Sequence, residues 1–186
     1  LPRRPPTDRP PQRVSPAAAG IGGTRVLSTG WGKAAIARLD RDVLRLPHLS
    51  HVILLEGIND IGNGGCSALL GCNPALKTED LINGYRQIIA RTHLAGAKVI
   101  MGTLMPFAGG TSFSAEREAQ RKAVNQWIRT SGGPGAVVDF DAALRDPAAP
   151  DRLIAAFDSG DHLHPSEEGY AAMARAVDLG LFGARR

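Results

Sequence analysis

Aromatic residues are scarce in this chain, at 5% of 186 positions, and there are only two cysteines. A nucleic-acid-binding surface calls for a basic stripe interleaved with aromatic rings on the folded part. Here Arg3, Arg4, Arg9 and Arg13 crowd the first 13 positions against Asp8, so the formal charge of +4 leaves the rest of the chain at about +1. Nucleic acid is therefore not an expected partner. No apolar run approaches the roughly 20 residues that cross a bilayer as a helix, so no integral membrane segment is expected. The 43% apolar and 22% charged residues are those of a soluble globular chain. Cys66 and Cys72 lie in the stretch GNGGCSALLGCNP. A zinc site needs about four ligands, and this pair does not supply them. A small loop disulfide and two free thiols both stay open, and the disulfide would favour a secreted or periplasmic location. The opening LPRRPPTDRPPQRVSP has neither the apolar core nor the small-residue cleavage site of a signal peptide.

What is present is enough for one domain with a real core. Residues 1–16 carry six prolines and four arginines, which disfavour helix and sheet ladders, so a disordered or extended arm is expected there and a single domain over 17–186. Beyond the arm, strand and helix patterns alternate. GKAAIARLDRDVLRL repeats apolar residues at helical spacing, and HVILLEG is a short β-branched and leucine run bounded by turn formers. TEDLINGYRQIIARTHLAG reads as a helix with Thr78 as N-cap and Gly96 as stop, and AKVIMGTL reads as a strand. Ser114 caps a helix to about Thr130, GAVVDF is another strand, and Ser166 starts a last helix in SEEGYAAMARAVDLGLF. Continuous apolar strands alternating with helices predict an α/β fold: three layers, α/β/α, around a mostly parallel sheet, with ligands at the carboxyl ends of its strands.

Three turn segments carry polar groups suited to chemistry. EGIND (56–60) and AGIGGTR (19–25) stand at the carboxyl ends of predicted strands, the first after HVILL and the second after the short VSPAA stretch. Asn59 is placed to aim its amide at a developing oxyanion, and Gly57 permits close backbone approach to a substrate. On composition alone, turn chemistry is the favoured reading of Asn59, Asp60, Gly62, Asn63 and Gly64. The glycines of AGIGGTR can leave a backbone amide to donate to a charged oxygen, but the loop lacks the spacing and the lysine of a P-loop. In DHLHP, Asp161 and His164 stand three apart, so one loop can hold the carboxylate against Nδ1 and leave Nε2 as a general base. Two other readings stand beside it: His164 packing at a helix start, and His162 and His164 with Asp158 as an incomplete metal set.

GGT, EGIND and DHLHP, in this order on an alternating α/β chain, resemble the SGNH/GDSL family of serine ester hydrolases. The resemblance covers about 17–183 and includes DRDVLRLPHLSHVILLEGINDIG, MGTLMPF and VVDFDAALRD. It implies a flavodoxin-like sheet of about five parallel strands between helices and cleavage of acyl esters of sugars, lipids or small alcohols. By the same resemblance Gly23 is a backbone oxyanion donor, Asn59 a side-chain oxyanion donor, His164 the base and Asp161 its orienting partner. The implied partner is a small ester, with an acylated carbohydrate ranked ahead of a lipid, and the implied mechanism uses no metal or organic cofactor. The region from Asn63 to Ala75 is expected to rim the pocket.

One family element is missing. The nucleophile sits in a Gly-Asp-Ser motif at the end of the first strand, and no GDS occurs in this sequence. Ser15, Ser28 and Ser159 lack its context and read as ordinary loop hydroxyls. The expectation is a domain without its first strand and with little activity of its own; the alternative is a binding protein that keeps the pocket for an acylated carbohydrate or an anion.

Overall fold

His51–Leu54 (β1), Lys98–Gly102 (β4) and Ala136–Val138 (β5) are the apolar runs of the sequence, and they pair in parallel in the order β1-β4-β5. The structure is a computed structural model that describes residues 14–62, 76–131 and 133–183, with the backbone alone at 65–67 and 71–73. The register sets Val52 beside Val99 and Met101 beside Val137. Because side chains alternate along a strand, β4 serves two cores at once. Val99 and Met101 join the cluster containing Leu81, Tyr85, Ile88, Val124 and Ile128, whereas Ile100 packs with Val138, Phe140 and Met173. This is the three-layer α/β/α arrangement that the alternating pattern predicts.

The first of these cores is built by Thr78–Leu94 (α3) and Ala115–Thr130 (α4). On α3 the buried residues Leu81, Ile82, Tyr85, Ile88, Ile89 and Thr92 recur at helical spacing and form one apolar stripe. Tyr85 stacks on Trp127 of α4 with ring centroids 6.0 Å apart, which joins the two helices. On the other face lies Glu167–Ala176 (α6), capped by Ser166, whose hydroxyl accepts from the Gly169 amide at 3.1 Å. Short helices follow two of the strands: Ile58–Gly62 (α2) after β1 and Phe140–Leu144 (α5) after β5. Ala35–Leu39 (α1) runs on into a single π-helical turn, Asp40–Leu44.

Some local expectations shift. Thr78 is the first helical residue rather than the cap; Lys77 holds that place, and its amide donates to the Asp80 carboxylate at 3.3 Å. VSPAA forms no strand: residues 14–19 pair with no ladder, and Pro16 has no amide to donate. An antiparallel pair, Arg145–Asp146 (β6) with Ala149–Leu153 (β7), stands where the sequence pattern shows only a loop. Three parallel strands are present among the described residues, against the family's five or so. Gly65–Ser67 (β2) and Gly71–Asn73 (β3) form a small antiparallel ladder with Cys66 opposite Cys72. The thiol state of that pair, the arm over 1–13 and most of the expected pocket rim lie outside the described residues.

Candidate active site

Both halves of the candidate site stand on loops beyond carboxyl ends of β-strands. After β1 the chain passes Leu55 and Glu56 to Gly57, whose φ of 123° suits glycine. A Cβ at Gly57 would lie 2.1 Å from the Tyr85 hydroxyl, which donates to the Glu56 carbonyl at 2.5 Å. Packing against α3 therefore requires glycine here, a reason that the sequence alone does not show.

From α2, two adjacent side chains grip the glycine loop. Asn59 donates its side-chain amide to the Thr24 carbonyl at 3.1 Å. Asp60 is 1% exposed and accepts from the Val26 amide at 2.8 Å and the Leu27 amide at 3.2 Å. Burial pushes the Asp60 carboxyl up from its ordinary range, and the Val26 and Leu27 amides oppose that rise. Gly23 stands beside this grip with φ 70°, where a side chain would be strained and would meet the Trp31 ring. Asn59 and Gly23 thus belong to one constellation, and Asp60, read as turn chemistry in the sequence, is the strut that holds it. The missing signal was distance: its partners lie 33 and 34 residues away.

Glu56 lies beneath the same loop. Burial raises its carboxyl to about 7, with Arg38 opposing the rise and Asp60 adding to it. Arg38 approaches the Glu56 carboxylate at 3.6 Å and also donates to the Ala19 carbonyl.

The second half follows a 3-10 turn, Ala155–Phe157. Asp161 Oδ2 meets His164 Nδ1 at 2.6 Å, while Oδ1 accepts from the His164 amide at 2.8 Å, the Leu163 amide at 2.9 Å and the Ser159 hydroxyl at 3.0 Å. These bonds, the His164 ring first, hold the Asp161 carboxyl well below the usual carboxylate range. The His164 side chain is 64% exposed, so the ring is open to a substrate on its far side.

A second pair of the same kind stands beside it. Asp158 Oδ2 meets His162 Nδ1 at 2.6 Å, and Oδ1 accepts from the Gly160 amide at 2.8 Å and the His162 amide at 3.0 Å. His162 has φ 62°, an uncommon conformation for a side chain of this size, and Asp158 fixes it from two directions. Its ring fills the space over Gly109, where a Cβ would lie 2.9 Å away. His162 therefore works as a loop clamp, whereas the sequence read it only as a metal candidate. Among the described residues no three His, Cys, Asp or Glu side chains come together as a metal group.

The segment 107–113 links the two halves. Gly109 seats His162, and Ser112 packs against Gly62 at the end of α2, where a Cβ would lie 2.9 Å from its hydroxyl. Leu163 packs on the same core as Ile58 and Ile61. No hydrogen bond joins His164 directly to Asn59 or Gly23: its ring partner is Asp161.

The fold and these loops define a three-layer α/β/α protein with a cluster of polar groups beyond its strand ends, and comparison makes the class specific. The sequence profile of the GDSL-like Lipase/Acylhydrolase family matches residues 2–172. The chain belongs to this family and is, by family, an ester-hydrolysing enzyme. No curated protein matches it. Among solved structures, the acetyl xylan esterase AlAXEase is 20% identical, with TM-score 0.58, covering 85% of this chain and 75% of its own. The acetylxylan esterase Axe2 from Geobacillus stearothermophilus is 21% identical, with TM-score 0.60, covering 84% and 67%. A GDSL-like lipase from Bacteroides thetaiotaomicron is 20% identical, with TM-score 0.58, covering 78% and 70%. At these identities the likeness speaks for the fold. Among the described residues no helix is long and apolar enough to cross a membrane.

Proposed function

We propose that the site hydrolyses carboxylic esters with His164 as general base, Asp161 as its orienting carboxylate, and Asn59 and the Gly23 amide as oxyanion donors. The observation that carries this reading is the Asp161–His164 pair, in which one oxygen holds the ring at 2.6 Å and the other is anchored by two amides. With Nδ1–H committed to Asp161, Nε2 takes a proton from a hydroxyl nucleophile and later returns one to the leaving alcohol. Asp161 stabilises the imidazolium formed between these steps. Negative charge developing on the carbonyl oxygen is met by the donors held on α2 and the glycine loop. An acylated carbohydrate is the favoured substrate, supported by the two acetyl xylan esterases among the structural neighbours.

The chain supplies no serine in the family's setting. Among the described residues the His164 ring meets no hydroxyl, and the Ser159 hydroxyl donates to Asp161 instead. Loss of the nucleophile alone costs about 10⁶ in turnover in serine hydrolases, leaving roughly 10³ to 10⁴ over water. This chain is therefore expected to hydrolyse a short-chain chromogenic acyl ester only at that residual level, and Asn59→Ala, which removes an oxyanion donor, should lower that rate further. Full serine-hydrolase turnover would overturn the missing-nucleophile part, and a residual rate indifferent to Asn59→Ala would overturn the oxyanion donors. The vacant hydroxyl position also favours a second reading, a binder of acylated carbohydrate that uses the same pocket without turnover.

A further inference from the structure

Trp31 leaves a large apolar ring in water beside the proposed oxyanion donor: it is 75% exposed. Its place is fixed by the glycine loop. A Cβ built on Gly23 would lie 3.1 Å from Trp31 Cγ and 3.3 Å from Trp31 Cβ, so the root of the indole rests on the Gly23 α-carbon. Gly30 and Gly32 flank the tryptophan, and the Gly30 amide donates to the Gly32 carbonyl at 3.0 Å, closing a tight turn with Trp31 at its tip. Gly32 in turn abuts Ile21, where a Cβ would lie 3.3 Å from Ile21 Cγ2, and Ile21 is itself 45% exposed. Two exposed apolar side chains, one within the glycine loop and one after it, thus flank Gly23. The Asn59 amide reaches the adjacent Thr24 carbonyl, so this apolar surface adjoins both proposed oxyanion donors.

We propose that Trp31, with Ile21 at its side, is a stacking platform for the sugar ring of an acylated carbohydrate whose ester carbonyl sits at Gly23 and Asn59. The shape of the surface selects the ligand class. Gain from the hydrophobic effect follows the area removed from water, and an alkyl chain on an unwalled face leaves most of its circumference wet. A pyranose ring has one face of C–H groups to lay on the indole and hydroxyls around its rim that stay hydrated. An aromatic ring that presents an open face matches that division of polarity. An ester held on the platform would therefore belong to a sugar, with the small acyl group turned toward the oxyanion donors.

The inference rests on the ester-hydrolase reading for the place of the carbonyl, but its test needs no turnover. The full chain is titrated with an acetylated xylo-oligosaccharide while tryptophan emission is followed. Trp127, stacked on Tyr85 and lying 5.7 Å from the Arg86 guanidinium, is the only other tryptophan and serves as internal reference. Wild type should give a saturable change, and Trp127→Phe should keep it. Trp31→Ala should weaken binding by at least ~10-fold, read by calorimetry, while Trp31→Tyr, which keeps an aromatic face, should stay within about threefold. The thermal midpoint of Trp31→Ala should match wild type, because the ring is exposed. Equal affinity in wild type and Trp31→Ala would overturn the platform, as would no sugar binding by wild type, or binding of an aliphatic acyl ester in its place. Failure of the hydrolase reading has a different signature: Trp31-dependent sugar binding together with a residual esterase rate that Asn59→Ala leaves unchanged.

Discussion

Asp161 gives its two carboxylate oxygens different tasks: one gathers the loop through the amides of Leu163 and His164, and the other turns the His164 ring. The second task depends on an oxygen that only accepts. Asp161→Asn keeps the shape but can present N–H to Nδ1, which would move the ring proton to Nε2, the wrong atom for a base. Long-range proton–nitrogen NMR of the imidazole should therefore show the Nδ1–H tautomer in wild type and the Nε2–H tautomer in Asp161→Asn. An unchanged tautomer would remove Asp161 from the mechanism. This pair was legible in the sequence because its residues are three apart and a single loop can join them. Asp60 and His162 were not. Asp60 holds amides that only the folded chain brings near, and the H-x-H spacing drew His162 toward a metal reading when its partner is Asp158.

At the scale of the element, α4 is held by charge as well as by apolar packing. Arg121 is 1% exposed and bonds both oxygens of Glu118 at 2.7 and 2.8 Å, the Leu104 carbonyl at 2.7 Å and Asp141 at 2.7 Å. Arg121→Ala would take from Glu118 its two closest bonds and leave it only Lys122 at 3.4 Å, while Asp141 keeps Arg129 at 2.6 Å, so a loss of about 3 kcal/mol in urea-unfolding stability is expected. Asn125 serves the same strand end, with its amide donating to the Leu104 carbonyl and accepting from the Leu104 amide. Little of this could be read from the helix sequence, where Glu118 and Arg121 look like an exposed i, i+3 pair. The helix ends were readable: Ser114 and Ser166 cap as their type and position predict. The β6–β7 pair escaped notice because RDPAAPDRL has neither alternation nor a turn signature for a two-residue hairpin.

For the whole molecule, two carboxyls set opposite pH limits. The unfolded chain releases the Glu56 proton near 4.5 and the folded chain keeps it to about 7. Stability that is full below pH ~4.5 therefore falls as pH rises through about 7, by up to about 3 kcal/mol. Asp139 works the other way: burial pushes it up, but the bonds from Arg129, the Ala142 amide and Thr103 prevail and hold it at about 2. Its contribution is present above about 3.8 and is lost as pH falls through about 2. Glu56→Gln should flatten the urea midpoint between pH 5 and 8, and an unaltered slope would assign the dependence to another group. The layer architecture was legible because every buried strand is a continuous apolar run. The number of strands was not, since a sheet's breadth depends on partners that no single strand encodes.

β1 has β4 on one flank and no strand on the other among the described residues, and its Ile53 is 46% exposed. Such a border is a template: its peptide groups recur at the spacing that any extended polypeptide can match, whether that polypeptide belongs to a neighbouring copy or to an unrelated denatured protein. In concentrated solution this border, like the outer flank of β5, gives fibrous or amorphous deposits a place to start on molecules whose interiors are still intact.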